Sequence, residues 1–492
     1  MLRRLISLLA ACVLATVVQA QDALLLAARA GQQQRALTLL AGTVDAAATE
    51  PDGTTLLHWA AYHNMLALAR ALLDRGASAN AANEYGATPM MEAAIEADTA
   101  MLTLLLDHGA DVEAANAEGQ TALMSVARTG NVAAAELLLA RGAKVDAREH
   151  WRDQTALMWA AAQGQPAMLR TLVAAGADVN ARSRVHQWEQ EITAEPRAKY
   201  MPTGGLTALI YAARQDCLEC VQVLVAAGAD LNLTDPNGVS PLLVATLNAH
   251  FDSAAWLLAK GANVNKWDRW GRSALYAAVD YNTIPRGGRA DQPSLDEVGS
   301  ARLIALLLEA GANPNLQLKL LPPFRSITAD RGTDLILTVG TTALLRAAKA
   351  ADVAAIRLLL QHGALPDLAS MDNVSPLMAA AGLGSSNTDT RGRFKTEADA
   401  LATLQILLAA GADVNRQDKL GLTALHGAAF QGWNKVIKLL VDHGASLNAK
   451  DSQGMKPVDA ALGRYSGPLG RGGALNVNPE TGAYLQSLMI AQ

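Results

Sequence analysis

The sequence predicts an all-α solenoid, a linear pile of short helix-turn-helix layers, and three observations carry that prediction. The first is composition. Of 492 residues, 51% are hydrophobic but only 4% aromatic. Large cores bury Phe, Tyr and Trp because each removes much apolar surface from water, and four Phe, eight Tyr and eight Trp cannot fill several such cores. Length alone suggests about three domains of roughly 150 residues. An Ala/Leu-rich chain with 39 Gly points instead to many thin layers, each packed on its neighbours.

The second observation is a recurring phrase: a Leu-Leu or Leu-Val pair, then Gly-Ala, most often followed by Asx and an apolar residue. Its glycines are Gly76, Gly109, Gly142, Gly176, Gly228, Gly261, Gly311, Gly363, Gly411 and Gly444. The spacing is 33 or 34 residues, except for four gaps of 48 to 52. The third is a phased anchor of Thr or Ser followed by a small or apolar pair: Thr55, Thr88, Thr121, Thr155, Thr207, Ser240, Ser273, Thr342, Ser375 and Thr423. From anchor to the next Gly-Ala is 21 residues, but 38 after Ser273 and 36 after Ser375. From Gly-Ala to the next anchor is 12 or 13, but 31 after Gly176 and Gly311. The long gaps are therefore insertions, and self-similarity at this period means a solenoid.

Taken in order, residues 1–20 read as a secretory signal peptide: Arg3 and Arg4, an apolar run, then Val18-Gln19-Ala20 with small residues at the cleavage positions. Cleavage is expected after Ala20. Leu9-Ala10-Ala11-Cys12 also resembles a lipobox, although the apolar run continues past Cys12. The rest of the chain offers no candidate bilayer span, and the protein is expected to be exported, periplasmic or secreted. In each unit the Thr or Ser sits where an N-cap accepts backbone N–H groups. A first helix follows, as at Thr55 to Tyr62. A polar turn then leads to a second helix carrying the Leu pair, and Gly76 ends it in a positive-φ cap. Residues Asn80 to Gly86 form an extended turn into the next helix.

Thr88-Pro89-Met90, Thr55-Leu56-Leu57-His58 and Thr423-Ala424-Leu425-His426 resemble the TPLH phrase of ankyrin repeats, and Gly176-Ala177-Asp178-Val179-Asn180 and Gly411-Ala412-Asp413-Val414-Asn415 resemble that family's GADVN. The chain is identified as an ankyrin-repeat protein of about ten recognisable repeats. The order of its inserts is similar to that of exported bacterial ankyrin proteins. The family's fold implies β-hairpin-like finger turns. Only His58 and His426 keep the TPLH histidine, which puts its inter-repeat hydrogen bonds in doubt elsewhere. The expected organisation is a degenerate leading cap (22–50) and repeats over 51–182. An insertion in a finger follows (183–204), then repeats over 205–316 with an inter-helix insertion at about 282–299. A second finger insertion (317–340) precedes repeats over 341–450, with an insertion at about 382–398. A trailing cap (451–463) and a Gly-rich tail with a short helix (464–492) complete the chain.

Chemistry is sparse. Cys217-Leu218-Glu219-Cys220 places two thiols one turn apart at the start of a second helix, where a bridge is reachable. A structural disulfide, free thiols or a redox pair all fit. The βαβ context of thioredoxin-like motifs is absent, and Val221 excludes CxxCH haem attachment. The nine His are scattered, and no HExxH, P-loop, GxSxG or strand-borne GxGxxG exists. We therefore expect no catalytic constellation, cofactor or metal. The balance of 41 basic against 46 acidic residues gives −5 and does not favour nucleic acid.

Ankyrin arrays bind proteins through fingers and exposed positions of the first helix. Carried onto this chain, the resemblance implies helix positions Tyr62, His63, Arg128, Arg214, Tyr281, Lys349 and Phe430. The implied finger positions are Tyr85, Trp151, Trp267, Arg269, Trp270 and Arg272. Aromatic and Arg residues are the types that carry interface hot spots, although some Trp could instead pack between fingers. Trp188 and Tyr200, large groups in an otherwise polar insertion, join the candidates. Trp59, Trp159 and Tyr211 hold a mainly core-facing position of the motif. The expected function is a non-enzymatic, monomeric, exported scaffold for an unidentified protein partner. A thiol–disulfide protein acting through Cys217 and Cys220, or a host-directed effector, are the alternatives.

Overall fold

The computed structural model describes residues 19–42, 44–189, 200–283, 296–320, 336–385, 395–464 and 477–491. Residues 1–18, where most of the expected signal peptide with Cys12 falls, the middle of each insertion and most of the Gly-rich tail lie outside the described residues. The chain divides into two compact units, residues 1–185 with 204–230, and residues 186–203 with 231–492.

In the first unit, helix α1 (19–29) and α2 (Gln33–Leu40) precede a run of helix pairs. These are α3 (Leu56–Tyr62) with α4 (Leu66–Asp74), α5 (Pro89–Glu96) with α6 (Thr99–Asp107), and α7 (Ala122–Thr129) with α8 (Val132–Ala140). Next come α9 (Ala156–Ala162) with α10 (Pro166–Ala174), and α11 (Ala208–Arg214) with α12 (Leu218–Ala226). First helices stack on first helices and second on second. The seam is small and aliphatic: Leu56, Leu57, Ala60, Leu68 and Leu72 are all fully buried. Short helices of this length are marginal alone in water, and tertiary packing supplies most of their stability.

The second unit repeats the pattern. It runs through α13 (Pro241–Leu247) and α14 (Phe251–Ala259), α15 (Ala274–Asn282) and α16 (Ser300–Glu309), and α17 (Ala343–Lys349) and α18 (Val353–Gln361). It continues with α19 (Pro376–Ala380) and α20 (Glu397–Ala409), and α21 (Ala424–Gln431) and α22 (Asn434–Asp442). Then α23 (Pro457–Ala461) packs against α24 (Pro479–Ala491), where Leu485 is buried. The 183–204 insertion, anticipated only as a lengthened turn, holds two paired strands, β1 (Val185–Glu189) and β2 (Tyr200–Gly204).

The anchor residues cap their helices. Thr55, Thr88, Thr155, Thr207, Ser240, Ser273, Thr342, Ser375 and Thr423 each accept the backbone N–H three residues on. Thr121 makes no such bond, and its buried hydroxyl has no partner. The retained histidines bridge repeats. His58 Nε2 lies 2.9 Å from the Ala87 carbonyl and His426 Nε2 3.3 Å from that of Met455. Each Nδ1 accepts its own cap residue's N–H, so Nε2 carries the proton and donates.

Fingers are built by a side-chain acceptor at the turn. Asn83 Oδ1 takes the N–H of Tyr85 and Ala87, Asn116 Oδ1 those of Glu118 and Gln120, and Asp268 Oδ1 those of Trp270 and Arg272. Bridges such as Ala115 with Thr121 and Trp267 with Ser273 give the fingers their hairpin character. Successive fingers are tied by a backbone bond in the same sense. Ala117 donates to Tyr85, His150 to Glu118 and Arg184 to Arg152 in the first unit. Arg269 donates to Asn237, Lys319 to Trp270, Met371 to Val339 and Lys419 to Asp372 in the second. Gly86 shows why glycine recurs at the tip: its φ is +72°, and a Cβ there would sit 2.9 Å from the Ala117 nitrogen.

Candidate functional site

Fingers and exposed helix positions present side chains on a scaffold of stacked helices. In the first unit the result is a groove of about 560 Å³ between successive fingers and the α9 face, within the ~300–1,000 Å³ typical of ligand sites. Trp151 projects from its finger, 56% exposed. Trp159, from α9, forms part of the lining, together with Glu118, His150, Arg152 and Gln154. The finger carrying Trp151 is rigid because Glu149, itself buried, accepts the N–H groups of Trp151, Arg152 and Gln154 at 2.7, 2.8 and 3.0 Å. That carboxylate is a structural acceptor and is spent on the turn.

A smaller pocket of about 210 Å³ shares Gln154 and Trp159 with the groove and adds Arg128, Ala162 and Gln163. Arg128, exposed on α7, lays its guanidinium over the Trp159 ring at 5.9 Å from the centroid. Gln154 Nε2 donates to the Tyr211 hydroxyl at 2.5 Å, linking this corner to α11. The Trp159 indole N–H is buried without an acceptor.

The other candidates are distributed. Tyr62 and His63 are exposed on α3 and form an edge-to-face pair with ring centroids 4.9 Å apart. Trp59 joins them, covered on one side by Arg29 at 5.8 Å. Tyr85 is exposed on its finger, and Arg214 stands over Tyr211 at 5.2 Å. Tyr281 is half-buried against Phe251, ring centroids 5.1 Å apart. In the second unit Trp267 is partly open, with Lys319 Nζ 5.2 Å from its ring centroid. Trp270 is half-buried between Arg269 at 5.9 Å and Arg272 at 5.1 Å. Trp188 and Tyr200 lie in β1 and β2.

Three candidates are corrected. Arg272 is only 8% exposed, because its Nε donates to the wholly buried Asp268 at 2.7 Å while its guanidinium packs on Trp270. Lys349, 6% exposed, is buried at the end of α17, which packs on α15. There the fully buried Arg346 meets Asp280 at 2.6 Å, and Asn282 bonds Asp352. Phe430 is also 6% exposed, and the Asn478 amide donates to its carbonyl, so the C-terminal segment is tied onto this end of α21. At the mainly core-facing position of the motif, Trp59 and Trp159 are half-buried and Tyr211 is buried. Sequence reasoning missed Arg152 and the role of Trp159. The Trp151-Arg152 pair at a finger tip was the available signal for the first.

Cys217 and Cys220 form a disulfide, Cα atoms 5.1 Å apart, at the start of α12. Cys217 Sγ accepts the Cys220 N–H at 3.2 Å, so the bridge serves as an N-cap. Among the described residues no group of three or more His, Cys, Asp or Glu could hold a metal ion. No described helix is long and apolar enough to cross a membrane.

A model of ankyrin repeats in three copies matches residues 24–116, 100–183, 209–286 and 396–466, more than half of the chain. The chain belongs to the ankyrin-repeat family, whose repeats generally mediate protein–protein interaction and whose fold is typically a non-enzymatic scaffold. It is 28% identical over 261 residues to human transient receptor potential cation channel subfamily A member 1, covering 53% of this chain and 19% of that protein. It is 27% identical over 273 residues to the E3 ubiquitin-protein ligase KEG of Arabidopsis thaliana, covering 53% and 16%. The chain thus spans under a fifth of the length of these curated relatives. The human ASB11 ankyrin repeat domain matches at 24% identity with a TM-score of 0.39, covering 49% of this chain and 98% of that one.

Proposed function

We propose that this protein is an exported scaffold that captures a protein partner on its finger and first-helix face, chiefly through the groove around Trp151 and Trp159. The observation that carries this reading is a pre-formed concave site with an exposed Trp fixed on a finger by a buried carboxylate. Aromatic anchors in such positions carry binding energy because their large area is desolvated at low entropic cost. Export is supported by Arg3 and Arg4 before an apolar run ending in Val18-Gln19-Ala20. The bridged Cys217 and Cys220 fit the same reading, since disulfides persist in oxidising compartments.

The test is affinity capture from an extract of the exported fraction with the full chain, Trp151→Ala with Arg152→Ala, and Trp267→Ala as control. Partner recovery should fall sharply for the first variant and persist for the second, with unchanged circular dichroism in both. Equal recovery by the first variant overturns the assignment of this groove. Fractionation that leaves the protein in the cytoplasm overturns export.

A further inference from the structure

The groove has a chemically distinct corner. Of the side chains that face the small pocket, Arg128 is a cation with no carboxylate partner among the described residues, its guanidinium laid over the Trp159 ring. Gln163 offers an amide whose side chain makes no hydrogen bond among the described residues, and Gln154 a second amide held by Tyr211. No carboxylate lines this corner. A second guanidinium, Arg152, lines the adjoining groove, again with no ion pair at its side chain among the described residues. The groove's two carboxylates are already bonded, Glu149 to three backbone N–H groups and Glu118 to the Gln120 amide at 2.9 Å. A guanidinium and two amides, with no carboxylate among them, therefore line the corner where the groove meets α7 and α9.

Resting on the docking reading above, we infer that the Arg128–Gln154–Gln163 corner reads an acidic side chain of an extended peptide lying in the Trp151–Trp159 groove. The guanidinium presents a planar fork that matches a carboxylate, and Trp159 holds that fork from one face without consuming its donors. A side chain fits better than a chain terminus. Terminal carboxylates are captured by nests of free backbone N–H groups. At this corner the Trp159 and Gln163 N–H groups are committed to the Thr155 and Trp159 carbonyls, and that of Gln154 to Glu149. The donors left are side chains that line one small pocket. The apolar residues beside that acid would then rest on the exposed Trp151.

The experiment is selection of linear random-sequence peptides against the immobilised full chain, followed by titration of a resynthesised winner by calorimetry. Winners should carry an Asp or Glu. Changing it to Asn or Gln should weaken binding about ten- to hundredfold, the range of a charge-assisted hydrogen bond. Arg128→Gln should cost the same factor and abolish the difference between acid and amide peptides, which a mere packing role for Arg128 would not do. Binding that is indifferent to the acid, or an acid preference that survives Arg128→Gln, overturns the proposal. In that case Trp151→Ala separates the two claims: weakened binding leaves the docking reading standing, and unchanged binding removes it as well. Loss on amidating the peptide's C-terminus, with the side chain irrelevant, overturns the side-chain assignment. Failure to enrich any peptide over the Trp151→Ala chain overturns both.

Discussion

Arg346 and Asp280 occupy helix positions that the repeat pattern marks as inward or partner-facing, and they are buried against each other. Removing one member of a buried pair leaves the other charge desolvated, which costs about 3–5 kcal/mol. Arg346→Met should therefore destabilise the second unit by that order in urea unfolding, and Arg346→Met with Asp280→Leu should recover much of the loss. His58 and His426 behave differently. Burial is the main influence on both, and it pushes each imidazole below the ordinary histidine range against the smaller upward pull of its carbonyl partner. Both rings are neutral in folded and unfolded chains well above pH ~6.5. As pH falls below that, the unfolded chain binds protons first, so stability is lost on the acid side. NMR should place both imidazole midpoints below that of a free histidine. A His58→Gln, His426→Gln chain should show a shallower fall in stability between neutral and mildly acid pH. At this scale the sequence was half legible. The histidines announce themselves by repeating the TPLH phrase, whereas the burial of Lys349 and Phe430 depends on residues distant in the chain that no local pattern reports.

At the scale of the element, the Asn of the Gly-Ala-Asp-Val-Asn phrase turns out to be a clamp between repeats. Asn180 donates to the Gly228 carbonyl at 3.3 Å and accepts the Asp230 N–H at 2.8 Å. Asn415 does the same with Gly444 and Ser446. The sequence shows these Asn residues only as members of a recurring phrase. Their partners, about one repeat onward or further across an insertion, were invisible to it. Two partly exposed bonds of ordinary strength are involved, so Asn180→Ala should cost about 1–2 kcal/mol, measured as a shift in the urea midpoint. The Cys217–Cys220 bridge closes a very short loop, so Cys217→Ser with Cys220→Ser should cost less than the ~2–4 kcal/mol of a typical disulfide. Under the scaffold reading that double variant retains partner capture, and loss of capture with the fold intact would favour thiol chemistry instead. Helix phasing was fully legible, since Thr or Ser caps and the Leu pair act within one turn. The strands β1 and β2 were not, because nothing in an insertion of mixed polarity repeats.

For the molecule as a whole, cohesion within each unit is between nearest neighbours: helix on helix, finger on finger, Asn on the next Gly. Stability then approximates a sum of repeat and interface terms. Leu72 is fully buried in the α3–α4 layer, and Leu72→Ala should cost about 2–5 kcal/mol. Hydrogen exchange should show the loss concentrated in that repeat and its immediate neighbours, not spread evenly through the unit. Uniform loss of protection would contradict the nearest-neighbour picture.

The finger insertions are pinched shut where they leave the scaffold. Ser183 N–H donates to Leu206 and Gly205 N–H to Arg184, closing the first neck. Leu318 and Gly340 close the second through Leu318 N–H to Thr341 and Gly340 N–H to Leu318. The rung from the preceding finger and the rung to the following finger both attach one residue past the second neck, at Lys319 and Val339. The bonds that keep the stack in register sit at the collar and its rungs, so evolution or an engineer can lengthen, shorten or exchange chain spliced in beyond them as a cassette.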